Sequence, residues 1–413
     1  MKRWILCLMI AALLLCAAIG CNETAQPVDA EAQNTPELVA LPTEELQEFI
    51  TAIPTDTPMP EPTETPTPEP TDTPEPTDTP EPTATPEPTA TPEPTATPEP
   101  VVVFTDDFML VSPEKDVRVG AKVVDSASVP NPANVEIRLA DGTVVGTGKV
   151  KAKGDNKITI KLPQGCPART DLYLYLEGTE YPVHMRSVAV IDNDYAPVNG
   201  NYERGDKMCA FTFDCAYGET NTDWLLDVLD EYNIKCTFFM TGNWMGNHGR
   251  WIERMIKAGH EIGSHSVSHP RMIKLDTNAI RKQIEPTVNL MLEKHGYRIH
   301  LFRPPYGATN AKINTISRFY GLEVIRWGQT SKDSTETYTG EAIRKLLLKE
   351  TEPGDIILCH NGAKELKKYL KPVLDELIAR GYTFCTVSEL MGWEWDDTYT
   401  DREARIAAGE TFE

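Results

Sequence analysis

The sequence predicts an α/β domain built from repeated βα units, preceded by a small all-β domain and a proline-rich stalk. From Arg204 to about Trp393, short apolar strands alternate with amphipathic helices. From Val101 to about Ile191, segments with period-two alternation are separated by turn residues. From Pro54 to Pro100, a unit rich in proline, threonine and glutamate repeats. The length of 413 residues is enough for two folded domains with linkers.

The N-terminal sequence predicts that the protein is exported from the cytoplasm. Residues 1–20 combine Lys2 and Arg3 with an apolar run too short for a stable membrane span, which is typical of a signal peptide. The small residues before Cys21 resemble a bacterial lipobox, in which the cysteine is lipidated and becomes the mature N-terminus. Ordinary cleavage with an unmodified Cys21 is the alternative. We predict a lipid anchor at Cys21, which attaches the chain to a membrane, and then a polar linker over residues 21–53.

The segment from Pro54 to Pro100 predicts a disordered, extended stalk. A TPEPTD or TPEPTA unit repeats from Thr67, and the frequent prolines favour polyproline II over helix or sheet. The segment holds eleven acidic residues and no basic one, which is half of the formal net charge of −22. That balance argues against nucleic acid as a partner, because binding phosphates needs a basic surface. At about 3.1 Å per residue, the stalk could reach roughly 150 Å from the membrane into a cell wall.

Residues 101–195 predict a small all-β sandwich of immunoglobulin type. Segments such as VVVFTDDF, VEIRLADG and DLYLYLEG alternate with period two, and Asp141-Gly142 is a turn signal. About seven short strands in about 90 residues fit that architecture. No cluster of polar or aromatic residues marks a site in this part of the sequence. We therefore expect a spacer or a wall-binding module.

The sequence predicts the repeated βα domain over residues 200–393 and a flexible tail over residues 394–413. The strand MCAFTFD is followed by the helical segment WLLDVLDEY, and KCTFFMTG is followed by WIERMIKAG. In such a fold, functional side chains gather at the carboxyl ends of the strands. Several cysteines lie inside the apolar strands and are expected to be small core residues. They are Cys209, Cys236 and Cys385.

Polar residues that are costly to bury cluster at those strand ends. The set is Asp214, Cys215, His265, His269, Arg303, Asp333 and His360. Taken singly, each has an ordinary structural explanation. A histidine pair four residues apart is more often structural than metal-binding, and Arg303 alone fits a surface charge. Together, in one order along one βα domain, they indicate an active site.

In that order, the residues resemble the motifs of the NodB-type polysaccharide deacetylases, carbohydrate esterase family 4, over nearly all of residues 200–393. The matching segments are Thr212-Phe213-Asp214-Cys215, His265-Ser266-Val267-Ser268-His269-Pro270, Arg303-Pro304-Pro305-Tyr306-Gly307, Lys332-Asp333-Ser334 and Ile357-Leu358-Cys359-His360. The second and third segments are the most specific, whereas the first and fourth depart from the family pattern. The resemblance implies a distorted (β/α)7 barrel for this domain.

The resemblance also implies a mechanism for removing an acetyl group. His265 and His269 would hold a divalent metal, most often zinc, with positions left open for water and substrate. Asp214 would be the general base that takes a proton from the attacking water. Arg303 would pair with Asp214 and keep it ionised despite burial.

The remaining motif residues would complete that mechanism. The metal and the backbone N–H of Tyr306 would stabilise the oxyanion. His360, oriented by Asp333, would protonate the departing amine, which is a poor leaving group until it is protonated. Two departures change the surroundings of these groups. Ser334 stands where the family usually has a tryptophan that lines the acetyl pocket, and Cys359 replaces a leucine.

Cys215 occupies the position of the family's metal-binding aspartate, which leaves four hypotheses open. Its thiolate could ligate zinc, as we predict together with His265 and His269. It could be a bystander, as in the family's muramic-acid-directed branch, where the second acid is also replaced. It could form a disulfide with Cys359, although strand alternation places Cys359 on the opposite face from His360. The site could also be degenerate and inactive.

The function expected from the resemblance and the anchor is metal-dependent de-N-acetylation of a cell-wall polysaccharide. The substrate would be N-acetylglucosamine (GlcNAc) or N-acetylmuramic acid (MurNAc) of peptidoglycan, and the enzyme would stand outside the cytoplasm, anchored at the cell membrane. Within the enzyme class, O-deacetylation of acetylated xylan is the alternative. From a different class, the chain could be a wall-glycan-binding protein with a degenerate site.

Overall fold

The computed structural model describes residues 102–125, 127–153 and 156–412. Four predicted features lie outside the described residues, namely the signal peptide (1–20), the lipidated Cys21, the linker (21–53) and the stalk (54–100). Within the described part of the chain, no helix is both long enough and apolar enough to cross a membrane.

The first part of the described chain is an all-β domain. Its described residues form eight strands: β1 (Val102–Phe104), β2 (Leu110–Val111), β3 (Asp116–Val123), β4 (Ala133–Arg138), β5 (Val144–Val150), β6 (Asn156–Lys161), β7 (Arg169–Leu176) and β8 (His184–Val190). They hydrogen-bond in the order β1-β3-β6-β5-β4-β7-β8-β2. Alternate residues of β4 are buried in one apolar cluster, as the period-two pattern predicts: Ala133, Val135 and Ile137.

This sheet curls, so that β1 contacts β8 near the opposite end of the strand order. Phe104 packs edge-on against His184, with ring centroids 5.7 Å apart. The backbone N–H of Phe104 also donates a hydrogen bond to Nδ1 of His184, at 3.4 Å. The immunoglobulin-type sandwich is therefore not confirmed, because the strands follow one continuous hydrogen-bonded path. Alternation identifies which residues face a core, but it does not specify the order in which strands pair.

The second part is an α/β barrel-like domain. Its strands are β9 (Met208–Cys215), β10 (Thr237–Met240), β11 (Glu261–Ser264), β12 (Leu301–Phe302), β13 (Glu323–Val324), β14 (Gln329–Thr330), β15 (Ile356–His360) and β16 (Thr383–Phe384). Seven of these described strands pair in the order β13-β12-β11-β10-β9-β15-β14, and β16 pairs with β9. The pairs are parallel. Because only residues 325–328 separate β13 from β14, the two ends of this path lie close together.

Helices cover the outside of these strands. They are α1 (Thr222–Glu231), α2 (Gly242–Asn247), α3 (Gly249–Lys257), α4 (Thr277–His295), α5 (Ala311–Phe319), α6 (Gly340–Glu350), α7 (Leu366–Ala379), α8 (Val387–Met391) and α9 (Thr400–Ala407). Their apolar faces pack on the outward-facing residues of the strands, for example Leu225 of α1 and Tyr369 of α7. A smaller cluster fills the inside of the sheet and includes Ala210 and Phe239. The carboxyl ends of the parallel strands therefore meet at one open edge.

The segment predicted as a flexible tail is ordered over residues 394–412, which corrects that expectation. Arg402 of α9 is 7% exposed, and its guanidinium binds both carboxylate oxygens of the buried Glu253, at 3.2 and 2.6 Å. The same guanidinium donates to the carbonyl oxygen of His295 at the end of α4, at 2.7 Å. The sequence showed only a short polar segment, because the partner of Arg402 lies 149 residues away in the chain.

Candidate active site

Asp214 and Arg303 form a buried ion pair at the centre of the site. Asp214 lies near the end of β9, and Arg303 directly follows β12. Nη1 of Arg303 donates to Oδ1 of Asp214 and to Oγ1 of Thr212, at 2.8 Å in each case. Arg303 is fully buried, with its guanidinium 4.0 Å from the ring centroid of Phe239. Burial acts to raise the pKa of Asp214, but the His265 imidazole and the Arg303 guanidinium outweigh it and lower the pKa.

His265 presents one ring nitrogen to this carboxylate. It follows β11, and its Nδ1 lies 2.7 Å from the backbone carbonyl oxygen of Arg303. Because a carbonyl oxygen only accepts hydrogen bonds, Nδ1 carries a proton, and in the neutral imidazole Nε2 keeps a lone pair. That Nε2 lies 3.3 Å from Oδ2 of Asp214. Burial lowers the pKa of His265, which favours the neutral imidazole that a metal ligand needs.

His269 lies beside His265 on a turn, not on a helix. Ser266 and His269 both have left-handed backbones, with φ of 67° and 60°, and Oγ of Ser266 accepts from the N–H of His269 at 3.0 Å. Oε1 of Gln283 accepts from the backbone N–H of Val267 and Ser268, at 3.1 and 3.0 Å. The two imidazole centroids are consequently 4.8 Å apart. Burial lowers the pKa of His269 to about 4.

The side chains at this position have donor atoms of the types that bind a divalent metal. Two neutral imidazoles with an ionised carboxylate beside them are ordinary zinc ligands. Nδ1 of His269 is buried and has no hydrogen-bond partner among the described residues. Across residues 102–125, 127–153 and 156–412, no group of three or more His, Cys, Asp or Glu side chains is arranged to hold a metal ion. Metal binding at this position and the identity of the metal therefore stay predictions.

Cys215 lies outside this group, which argues against its predicted role as a metal ligand. Its side chain belongs to the same apolar cluster as Phe211 and Phe213, and it is fully buried. Sγ lies 3.7 Å from the carbonyl oxygen of Phe213. Burial and then the charge of Asp214 raise the pKa of the Cys215 thiol well above its usual range, which opposes a thiolate. The physical reason is strand alternation, because Asp214 and Cys215 are consecutive and face opposite sides of β9.

The cysteines of the described chain are free, including Cys215 and Cys359. The disulfide hypothesis for this pair is therefore not supported. Of the four hypotheses for Cys215, the geometry favours the bystander.

His360 and Asp333 form the second half of the site. His360 ends β15, and its register partner on the neighbouring β9 is Asp214. Nδ1 of His360 donates to Oδ1 of Asp333 at 2.7 Å, and the His360 backbone N–H donates to Oδ2 at 3.0 Å. The Tyr369 hydroxyl of α7 donates to the same Oδ2 at 2.7 Å. Burial acts to lower the pKa of His360, but the hydrogen bond and charge of Asp333 outweigh it and raise the pKa.

Tyr306 lies at the rim of the site on a strained turn. Its backbone is left-handed, with φ of 60°, and its side chain is 53% exposed. The ring packs against His269, with centroids 4.7 Å apart. The next residue, Gly307, also has a positive φ, of 64°, and a Cβ there would lie 2.7 Å from the ring of Trp327. Trp327 therefore requires glycine at this position and fixes the turn that carries Tyr306.

Comparisons with known proteins identify the family of this chain. A family model described as polysaccharide deacetylase matches residues 201–325. The chain is 33% identical over 187 residues to peptidoglycan-N-acetylglucosamine deacetylase PgdA of Listeria monocytogenes, covering 45% of this chain and 39% of that protein. It is 30% identical over 196 residues to a peptidoglycan-N-acetylglucosamine deacetylase of Bacillus cereus, covering 46% of this chain and 90% of that protein. This chain belongs to the polysaccharide deacetylase family.

A further relative of this polysaccharide deacetylase is peptidoglycan-N-acetylmuramic acid deacetylase PdaC of Bacillus subtilis. The two are 28% identical over 209 residues, which cover 51% of this chain and 43% of that protein. The chain thus spans less than half the length of the Listeria and Bacillus subtilis relatives. The family match at residues 201–325 includes Asp214 and Arg303 but ends before Asp333 and His360, which the fold brings to the same edge.

Sequence reasoning missed two residues that shape this polysaccharide deacetylase site. Tyr369 holds Asp333 from α7, where a tyrosine on an apolar helix face predicts only core packing. Trp327 packs on Gly307, and its ring centroid is 5.8 Å from the guanidinium of Arg303. No local sequence pattern points to either contact, because both partners are distant along the chain.

Proposed function

We propose that this chain is a metal-dependent hydrolase that removes acetyl groups from an N-acetylated cell-wall polysaccharide, GlcNAc or MurNAc of peptidoglycan. One observation carries the proposal: Asp214 and His360 are register partners at the ends of adjacent parallel strands. Each has a partner that favours the ionic form its role requires, Arg303 for the carboxylate and Asp333 for the imidazolium. The names of the related peptidoglycan deacetylases support the choice of substrate.

Asp214 is the general base in this proposal. Its Oδ1 is engaged by Arg303 at 2.8 Å, whereas Oδ2 faces the imidazole of His265. An attacking water at Oδ2 would lose its proton to the carboxylate, which the neighbouring guanidinium of Arg303 keeps ionised. His265 and His269 would hold the metal, which when bound polarises the acetyl carbonyl and acidifies water. The backbone N–H of Tyr306 is the proposed donor to the developing oxyanion.

His360 is the general acid. Because Nδ1 is committed to Asp333, the proton that can leave is the one on Nε2. This proton passes to the nitrogen of the sugar as its bond to the acetyl carbon breaks, so that the product departs as an amine. The carboxylate of Asp333, held in turn by Tyr369, keeps the ring oriented and favours its charged form.

We also propose that the chain is lipid-anchored and acts outside the cytoplasm. The support is in the N-terminal sequence, where a signal-peptide pattern over residues 1–20 precedes Cys21 and the proline-rich segment 54–100 follows. Such a stalk would hold the enzyme domain away from the membrane and within reach of wall glycan.

Acetate release tests the proposed function. The full chain, loaded with zinc, is compared on purified peptidoglycan and on acetylated xylan. We expect release from peptidoglycan, and we expect His360→Asn to lower kcat by about 100-fold or more because the general acid is lost. His184→Asn, a histidine substitution in β8, is the matched control and should leave kcat unchanged.

Two outcomes would contradict the proposal. Release only from xylan would show that the alternative substrate is correct. A wild-type chain that binds peptidoglycan but releases no acetate from either polymer would support a glycan-binding protein with a degenerate site.

A further inference from the structure

Tyr217 is an exposed side chain on a rigid loop. It lies between β9 and α1 and is 68% exposed. The backbone beside it is packed against the loop that follows β15: a Cβ on Gly362 would lie 2.3 Å from the Tyr217 carbonyl oxygen. Nδ2 of the fully buried Asn361 donates to the carbonyl oxygen of Gly218 at 3.3 Å and to Oγ1 of Thr222 at 3.1 Å. The backbone that carries the ring is therefore held by packing and hydrogen bonds, whereas most of the ring is exposed.

Tyr217 lies at the rim of the active site. The ring of Tyr217 meets the ring of His269 edge-on, with centroids 5.8 Å apart and planes at 73°. His269 thus lies between two exposed tyrosines, because Tyr306 contacts it at 4.7 Å. The two tyrosines differ in whether a cation lies against the ring. A guanidinium, that of Arg271, lies 4.6 Å from the Tyr306 centroid, whereas no ring or cation of the described residues stacks on the face of Tyr217.

We propose that Tyr217 is a stacking platform for the sugar ring next to the one that loses its acetyl group. The inference rests on the proposed function and specifies that the substrate is an oligomer rather than a single sugar. The C–H groups on one face of a pyranose are apolar and slightly positive, and they complement the negative face of an aromatic ring. Because packing against Gly362 and the hydrogen bond from Asn361 hold the backbone beside Tyr217, binding such a partner has to order the ring but not the loop.

Binding and kinetics of four full-chain proteins test the platform: wild type, Tyr217→Ala, Tyr217→Phe and Tyr181→Ala. The ligand is a tetrasaccharide of alternating GlcNAc and MurNAc, with Kd from calorimetry and kcat and KM from acetate release. Tyr181 is the matched control, since it is 73% exposed but lies in the all-β domain. Thermal unfolding of each variant confirms that it is folded.

We expect Tyr217→Ala to weaken Kd for the tetrasaccharide by about 10-fold, because an aromatic stacking contact is lost. The kinetic loss should fall on KM rather than on kcat. Tyr217→Phe keeps the ring and should retain wild-type Kd, and Tyr181→Ala should match wild type.

Three results would overturn the inference. The first is a Kd for Tyr217→Ala within twofold of wild type. The second is an equal loss for Tyr217→Phe, which would assign the effect to the hydroxyl. The third is a wild type that releases acetate from peptidoglycan but does not bind the tetrasaccharide. If wild type binds the tetrasaccharide and releases no acetate, the proposed function fails, while the Kd comparison still decides the platform.

Discussion

Asp214 and His360 are register partners whose pKa values are displaced in opposite directions. Burial raises the pKa of Asp214 and lowers that of His360, so burial alone would leave both groups neutral. In each case neighbouring groups outweigh burial: the His265 imidazole and the Arg303 guanidinium for Asp214, and the Asp333 carboxylate for His360. The site thereby holds an ionised base and a protonated acid side by side in the same pH range.

The alkaline limit of activity should depend on Asp333. His360 is protonated below its raised pKa, so the acid function is present at lower pH and is lost as pH rises through that value. Asp333→Asn removes the charge that raises this pKa, and we expect the alkaline limb of the kcat/KM profile to move to lower pH. Glu336→Gln is the control, because Glu336 is an exposed carboxylate on the same loop. An alkaline limb that does not move in Asp333→Asn would show that His360 is not the acid.

Substitutions at Cys215 should affect stability rather than metal binding. Because the thiol is buried among apolar side chains, we expect Cys215→Ala to keep zinc affinity within about threefold and to lose about 1 kcal/mol of unfolding free energy. Cys215→Asp should lose about 3 kcal/mol or more, since it buries an unpaired carboxylate near Asp214. Zinc titration and denaturant unfolding measure the two quantities.

The control for Cys215 is Cys236→Ala, since Cys236 is also fully buried in the same apolar cluster. The two alanine variants should lose similar stability and bind zinc equally well. If Cys215→Ala alone weakened zinc binding tenfold or more, the thiolate would be a ligand and its position in the apolar cluster would not describe the metal-bound protein.

The residues that sequence reasoning placed in the site share one property. His265, Arg303 and His360 are polar residues at the ends of apolar strands, where burial without a function is costly. Tyr369 gave no such signal, because its ring satisfies the core and only its hydroxyl reaches Asp333. For Cys215, the match to a family motif was given more weight than strand alternation, which places it on the face opposite Asp214 and argues against the predicted role.

The turn from Pro305 to Gly307 is the element that presents Tyr306 to the site. We expect Gly307→Ala to cost about 1–3 kcal/mol, because the new Cβ meets Trp327 at 2.7 Å and the backbone has a positive φ. Relief of this clash would shift Tyr306 and its backbone N–H, so acetate release should also fall. Denaturant unfolding and the deacetylation assay measure the two effects.

Gly246→Ala is the matched control for that turn. Gly246 lies in α2, where an added Cβ has open space around it, so alanine should be neutral or slightly stabilising. A Gly307→Ala variant as stable and active as Gly246→Ala would contradict the constraint by Trp327.

The order of strands in the all-β domain was beyond what sequence patterns could predict, and a comparison of the two sheets shows why. In the α/β domain, parallel βα units and short connections limit the possible arrangements, and the barrel-like path follows. In the all-β domain, period-two alternation was correct for β4, yet the pairing of β3 with β6 and of β4 with β7 depends on contacts distant in sequence. Local patterns carry no information about those contacts.

At the scale of the whole molecule, Arg402 should be among the costliest residues to replace. Arg402→Ala removes the arginine partner of the Glu253 carboxylate, which is 3% exposed and keeps only the His295 imidazole, and we expect a loss of about 3–5 kcal/mol in unfolding free energy. Arg405→Ala is the control on the same helix, because the side chains of its acidic partners Asp401 and Glu410 are largely exposed. It should cost less than about 1 kcal/mol. Equal losses for the two variants would contradict a structural role for the Arg402–Glu253 pair.

The contact between Arg402 and Glu253 can form only late in the synthesis of the domain. Glu253 is made 149 residues before Arg402. The first strand of the domain, β9, pairs with β15 and β16, which come late in the chain. A nascent chain that ends before residue 402 therefore has only the His295 imidazole beside the Glu253 carboxylate, and until β15 is made that side of β9 is unpaired. The native contacts around Glu253 and along that side of β9 are therefore complete only after residue 402 has been made.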